Sequence, residues 1–226
     1  MLQTQGLTDF CRFLQQRKES RRLVLVAHNG NRFDFPILLN ALNRSSLLDE
    51  FLSSQIMLLD SLKVVSMEMK KKSSSLNSCK SKSLSDLYEF LLHEKLEAHE
   101  AQEDVAALAR ILFKSPLKLS VERLVEDSVS GVEFAQGMQS VLEAKSRKST
   151  LKRMAISEGM KDKTGKAGLD LTTMEEINKK IGARGLLAIL ALPATYKQMG
   201  RKNFKPRVTK NVKVLTKMIN FFDEPH

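Results

Sequence analysis

Three residues of this 226-residue chain have types and spacing that suit hydrolytic chemistry. Asp34 stands in "AHNGNRFDFPILL", just past an apolar run and immediately ahead of Phe35 and Pro36. His99 and Asp104 lie five positions apart in "HEAQEDVAAL", where an apolar periodic stretch begins. Carboxylates of this kind hold Mg²⁺ with several waters, and two such ions clamp the attacking and leaving oxygens of a phosphodiester. A neutral histidine near pH 7 can take the proton from the attacking water. Taken singly, each has an ordinary role: an aspartate at a helix start more often caps than ligates, and a histidine there is usually a polar surface residue. Asp60, which ends "IMLLD", reads as structural, accepting neighbouring backbone N–H groups.

The elements that must position these residues follow from periodicity. Thr8 to Lys18 carries Phe10, Phe13 and Leu14 at helical spacing and predicts a helix. Leu23 to Ala27 is a continuous apolar run of strand length, as in a sheet covered on both faces, and Ile56 to Leu59 is a second. Phe35 to Asn43 predicts a helix with Pro36 in its first turn. Lys70 to Ser83, "KKKSSSLNSCKSKS", predicts a flexible loop. Leu84 to Leu92 and Asp104 to Phe113 predict helices, the second burying Val105, Leu108, Ala109 and Leu112. Alternation of this kind argues an α/β fold with a partly parallel sheet. Beyond about Lys118 the sequence predicts short helices: 120–129, 132–144, 151–160, 174–181, 186–192 and 210–222. No strand is expected there before residues 207–208. Thr173 and Glu176 fit a capping box, and Gly182 a helix stop. The expected organisation is therefore 1–115 and a basic, mainly helical region over 116–226.

Composition narrows the partners. The net charge is +11 with 28% charged residues, which points to phosphates or an anionic surface. No apolar run reaches the roughly 18 residues of a membrane span, and the first residues lack the pattern of a signal peptide. Cys11 and Cys79 have no metal-like spacing, which favours reduced intracellular thiols in the nucleus or cytoplasm.

"AHNGNRFDFPILL" resembles the second motif of the DEDDh (DnaQ-like) 3′→5′ exonucleases, and looks closest to the three-prime repair exonuclease (TREX) branch. "HEAQEDVAAL" is similar to the family's third motif, a histidine followed five positions later by an aspartate in an apolar helix. "DSL" at Asp60 and "KSLSDLYEFL" fall where the family has a strand end and a connecting helix. The resemblance covers roughly residues 5 to 115.

It implies a ribonuclease H-like mixed sheet flanked by helices, two Mg²⁺ or Mn²⁺ ions, nucleic-acid 3′ ends as substrate, and a possible homodimer. Asp34 and Asp104 would be metal ligands and His99 the general base. His28 and Asn29 would lie near the terminal nucleotide, and Phe33 would pack beneath the site. The family's first motif, Asp-x-Glu on the first strand, has no counterpart before Thr8, where the chain reads "MLQTQGL". The expected fold is thus incomplete, with two of the four carboxylates. Two explanations stand: a fragment of an active nuclease, or a product that binds nucleic acid or protein without catalysis.

Overall fold

The computed structural model describes residues 2–18, 22–71, 75–96, 100–117, 119–193 and 206–223. The chain divides into two compact units, 1–136 and 137–226. The sequence expectation put the change of character at 115/116; the residues in between carry a strand of the first unit's sheet.

The first unit opens with α1 (Leu2–Lys18), followed by β1 (Val24–Ala27), α2 (Asp34–Arg44), α3 (Leu48–Ser53) and β2 (Met57–Asp60). β1 and β2 are parallel, with Val24 opposite Met57 and Ala27 opposite Asp60. Parallel neighbours need a crossover, which α2 and α3 supply. α4 (Ser61–Glu68), a 3₁₀ turn at Ser75–Ser78, α5 (Leu84–Leu92), α6 (Ala101–Phe113) and α7 (Val121–Glu126) follow. β3 (Val129–Ser130) then pairs antiparallel with β2, giving the order β1-β2-β3 and an α/β fold with a mixed sheet. The sequence reading placed a helix over 120–129; a two-residue strand is too short to leave a periodic signal.

Leu58 and Leu59 are both buried. Adjacent strand residues point to opposite faces, so β2 is covered on both. β1, expected to be covered likewise, lies at the edge among the described strands and is half-buried throughout. Leu59, Val64, Leu108, Leu112 and Leu124 form one core cluster, against which Val24 and Val26 pack. A second gathers Val65, Leu76, Cys79, Leu87, Tyr88, Leu91, Ala107 and Ile111. Leu76 is fully buried, so the stretch read as a flexible loop anchors itself in the core through Leu76 and Cys79. α1 buries Cys11 and Leu14, whereas Phe13 is half exposed.

The second unit contains the later part of α8 (Gly131–Thr150), a 3₁₀ turn at Leu151–Arg153, α9 (Glu158–Lys166), α10 (Leu171–Ala191) and α11 (Val212–Asp223). Its core includes Leu151, Met154, Met174, Leu186, Leu190, Leu215 and Met218. Gly182 breaks α10 with φ +70°, a left-handed conformation that glycine adopts freely, as the expected helix stop required. The cap comes earlier than the expected capping box: the Asp170 carboxylate accepts from the Thr173 N–H at 2.7 Å.

Candidate active site

Parallel pairing sets the carboxyl ends of β1 and β2 side by side, the place where open α/β sheets bind ligands. The chain leaves β1 at Ala27 and turns through 28–33 into α2. Asn29 adopts φ +62°, which its short polar side chain tolerates better than most, and its carbonyl accepts from the N–H groups of Arg32 and Phe33. Gly30 is buried; a Cβ there would stand 2.7 Å from the Ala27 Cβ and 2.8 Å from the Phe35 ring. Only glycine lets the turn close this tightly. Phe35 is buried beneath it, edge-to-face with Phe134 at 5.6 Å between centroids.

Two further ties fix the turn. Asp60, the strand partner of Ala27, accepts from the Asn31 N–H at 3.2 Å and from the Leu62 N–H at 3.0 Å, capping α4. The structural role read for Asp60 is therefore the one it has. His28 bonds the Ser61 hydroxyl through Nδ1 at 2.9 Å and the Lys82 carbonyl through Nε2 at 2.7 Å. A carbonyl only accepts, so Nε2 carries a proton; in the neutral ring Nδ1 then accepts from the Ser61 hydroxyl. Both ring nitrogens of His28 thus hold the turn against α4 and the 82–83 loop. The sequence alone did not reveal this bracket, although "DSL", an aspartate followed by serine at a helix start, was a capping signal.

Asp34 is the first residue of α2 and is exposed. It is not the cap: Phe33 occupies that position without a side-chain bond. A carboxylate in the first turn is nonetheless favoured by the helix dipole. Asp104 sits in the first turn of α6 and is partly buried. Among the described residues neither carboxylate makes a hydrogen bond or ion pair, unlike Asp60 or Asp170. The buried face of α6 consists of Ala107, Leu108, Ile111 and Leu112, so Asp104 lies in register with Leu108 and Ile111. Val105 and Ala109, expected inside, are outside, Val105 at 69% exposure. Periodicity identified the helix but placed its apolar face about one position off.

His99 lies outside the described residues. Glu94, five residues before it, and Arg110, on α6, are joined: the Arg110 guanidinium meets Glu94 through both nitrogens, at 2.7 and 2.6 Å, and also donates to the Tyr88 hydroxyl. This pairing holds the Glu94 carboxyl below its ordinary pKa, with the Arg110 hydrogen bond as the main cause. Phe33, expected beneath the site, is half exposed, with the Arg32 guanidinium 5.6 Å over its ring. The buried aromatic of this turn is Phe35.

Among the described residues the donors for a metal centre are few. Asp34 and Asp104 are of the right chemical type, but no group of three or more His, Cys, Asp or Glu side chains among the described residues could hold an ion. Asp60 accepts a backbone N–H at each of its oxygens, which engages it in the turn and in the α4 cap.

Comparison with known proteins adds one relative. The chain is 38% identical over 125 residues to "Exonuclease DPD1, chloroplastic/mitochondrial" of Arabidopsis thaliana, a match spanning 51% of this chain and 36% of that protein. The match thus covers little more than a third of the relative's length. No protein-family model matches the chain. No helix among the described residues is long and apolar enough to cross a membrane.

Proposed function

We propose that this chain is a nucleic-acid-binding protein built on a DEDDh-type 3′→5′ exonuclease unit, holding part of the hydrolytic site. The observation that carries the reading is its 38% identity to an exonuclease. Two motif aspartates without a side-chain hydrogen bond or ion pair among the described residues support it, Asp34 directly after the turn that leaves β1 and Asp104 in the first turn of α6. In this reading Asp34 and Asp104 would hold divalent metal, His99 would take a proton from water, and Asn29 would meet the terminal nucleotide. A bound ion would supply charge neutralisation at the phosphate. The chain's own contribution is positional: Gly30, Asp60 and His28 fix where α2 begins, and hence where Asp34 stands.

In this proposal the chain binds a strand without cleaving it, with Asp34 and Asp104 as its candidate metal ligands among the described residues. Titration calorimetry with Mn²⁺ tests the role of the two carboxylates. The expected result is weak binding that disappears in Asp34→Asn and in Asp104→Asn. Binding that survives both substitutions, or no Mn²⁺ binding at all, removes these residues from the proposal.

A further inference from the structure

Charge is divided unequally between the two units. Residues 1–136 hold 18 Lys and Arg against 18 Asp and Glu, a formal charge of zero. Residues 137–226 hold 19 against 8, so the whole +11 of the chain lies there. Half of those eight acids are already engaged. Glu143 pairs with Arg147, Glu158 with Lys148 and Lys161, and Asp162 with Lys166, while Asp170 caps α10.

Several of the cations left over among the described residues are exposed. Lys179 and Lys180 end the first half of α10, and Arg184 begins the second, across the break at Gly182. α11 buries Leu215, Met218 and Ile219 and turns Lys213, Thr216, Lys217 and Asn220 outward. None of Lys179, Lys180, Arg184, Lys213 and Lys217 forms an ion pair among the described residues. α10 and α11 share one apolar core, so their polar faces belong to the same folded body.

We infer that residues 137–226 are the part of this chain that grips the phosphate backbone of a nucleic-acid strand, through Lys179, Lys180, Arg184, Lys213 and Lys217. The choice of nucleic acid rests on the exonuclease reading of the first unit. A surplus of unpaired like charge repels itself, and a polyanion that displaces its counterions relieves that repulsion. A lipid surface fits less well: a membrane-bound amphipathic helix inserts its apolar face, and that of α11 is already buried in the core. Contacts to phosphate alone carry no sequence information, so binding is indifferent to base sequence.

The test is fluorescence anisotropy of a labelled 20-nucleotide oligo-dT with the full chain, in EDTA, from 50 to 300 mM KCl. One variant carries Lys179→Gln, Lys180→Gln, Arg184→Gln, Lys213→Gln and Lys217→Gln. A charge-matched control carries Lys63→Gln, Lys70→Gln, Lys80→Gln, Lys95→Gln and Lys114→Gln. The first variant is expected to bind at least about tenfold more weakly at 100 mM KCl, with its salt slope reduced by about 3. The control changes by less than about threefold, and arginine at the four lysines of the first set preserves affinity. Equal losses in both glutamine variants, or unchanged binding in the first, overturn the inference. So does a wild-type chain that pellets with phosphatidylserine vesicles but ignores the oligonucleotide. Far-UV circular dichroism verifies that the variants are folded. EDTA makes the titration blind to hydrolysis, so failure of the exonuclease reading appears in a product assay and failure of this inference in the anisotropy.

Discussion

The Asp60 carboxylate accepts the backbone N–H of Asn31 at 3.2 Å, tying the end of β2 to the turn that leaves β1. The same side chain caps α4 through Leu62. Replacing Asp60 by alanine should therefore remove a cap and leave the Asn31 N–H without its acceptor. Loss of a cap costs about 1 kcal/mol and loss of a further hydrogen bond a similar amount. Urea denaturation should show a combined destabilisation of about 2 kcal/mol, and Asp60→Asn a smaller one. An unchanged midpoint in Asp60→Ala would show that the tie does not support the fold.

Gly30→Ala tests the tightness of the same turn. A methyl group 2.7 Å from Ala27 and 2.8 Å from the Phe35 ring forces both to shift. Overpacking of this kind costs about 1–3 kcal/mol. The loss should appear as a lower thermal midpoint, with the Phe35–Phe134 contact disturbed in near-neighbour NMR shifts.

Much of the frame around these residues was legible in the sequence, and the reasons it was not wholly so are specific. β1 and β2 were visible because four or five consecutive apolar residues bounded by polar turns have few alternatives. α5 was found with its observed limits, Leu84–Leu92, because Leu84, Leu87, Tyr88 and Leu91 recur at helical spacing, and the last three of these are buried. α6 was located but its face misjudged. Alanines lie on both sides of it, Ala107 inside and Ala109 outside, so hydrophobicity alone could not fix its rotation. β3 left no trace, being two residues long. The loop anchored by Leu76 read as polar, because one buried leucine among serines and lysines has no period. Asp34 read as a possible cap, but the helix starts one residue too early for that. The brackets through His28 and Asp60 depend on contacts about thirty residues or more apart, which no local pattern encodes.

The Asp170 cap gives a pH dependence whose sign is fixed. Hydrogen bonds from Thr173, the backbone N–H first, hold the carboxyl below its ordinary value of 3.8. A group with a depressed folded pKa stabilises the fold above its unfolded pKa, and that stability fades as pH falls through the folded value. Asp170→Ala should cost about 1 kcal/mol at pH 7. Its deficit relative to the wild type should shrink below pH 3.8, as thermal melts at pH 7 and pH 3 would show.

Cys11 and Cys79 are both buried and unpaired. Burial, and then the nearby Glu50 charge, push the Cys11 thiol above its usual range. Thiolate is the reactive form, so Cys11 should react slowly with Ellman's reagent in the native protein at pH 7.5 and rapidly in denaturant. Fast native labelling at Cys11 would contradict its placement against the core.

The central proposal, an exonuclease-type unit that binds nucleic acid with part of a metal site among its described residues, is tested most directly by one reaction. Single-stranded DNA labelled at its 5′ end is incubated with the chain and Mg²⁺ or Mn²⁺, and each sample is resolved both on a native gel and on a denaturing gel. The account predicts a retarded complex at physiological salt and full-length DNA on the denaturing gel. Stepwise shortening from the 3′ end that Asp34→Asn, Asp104→Asn or His99→Ala abolishes would contradict the partial site, and absence of any complex would contradict the claim as a whole.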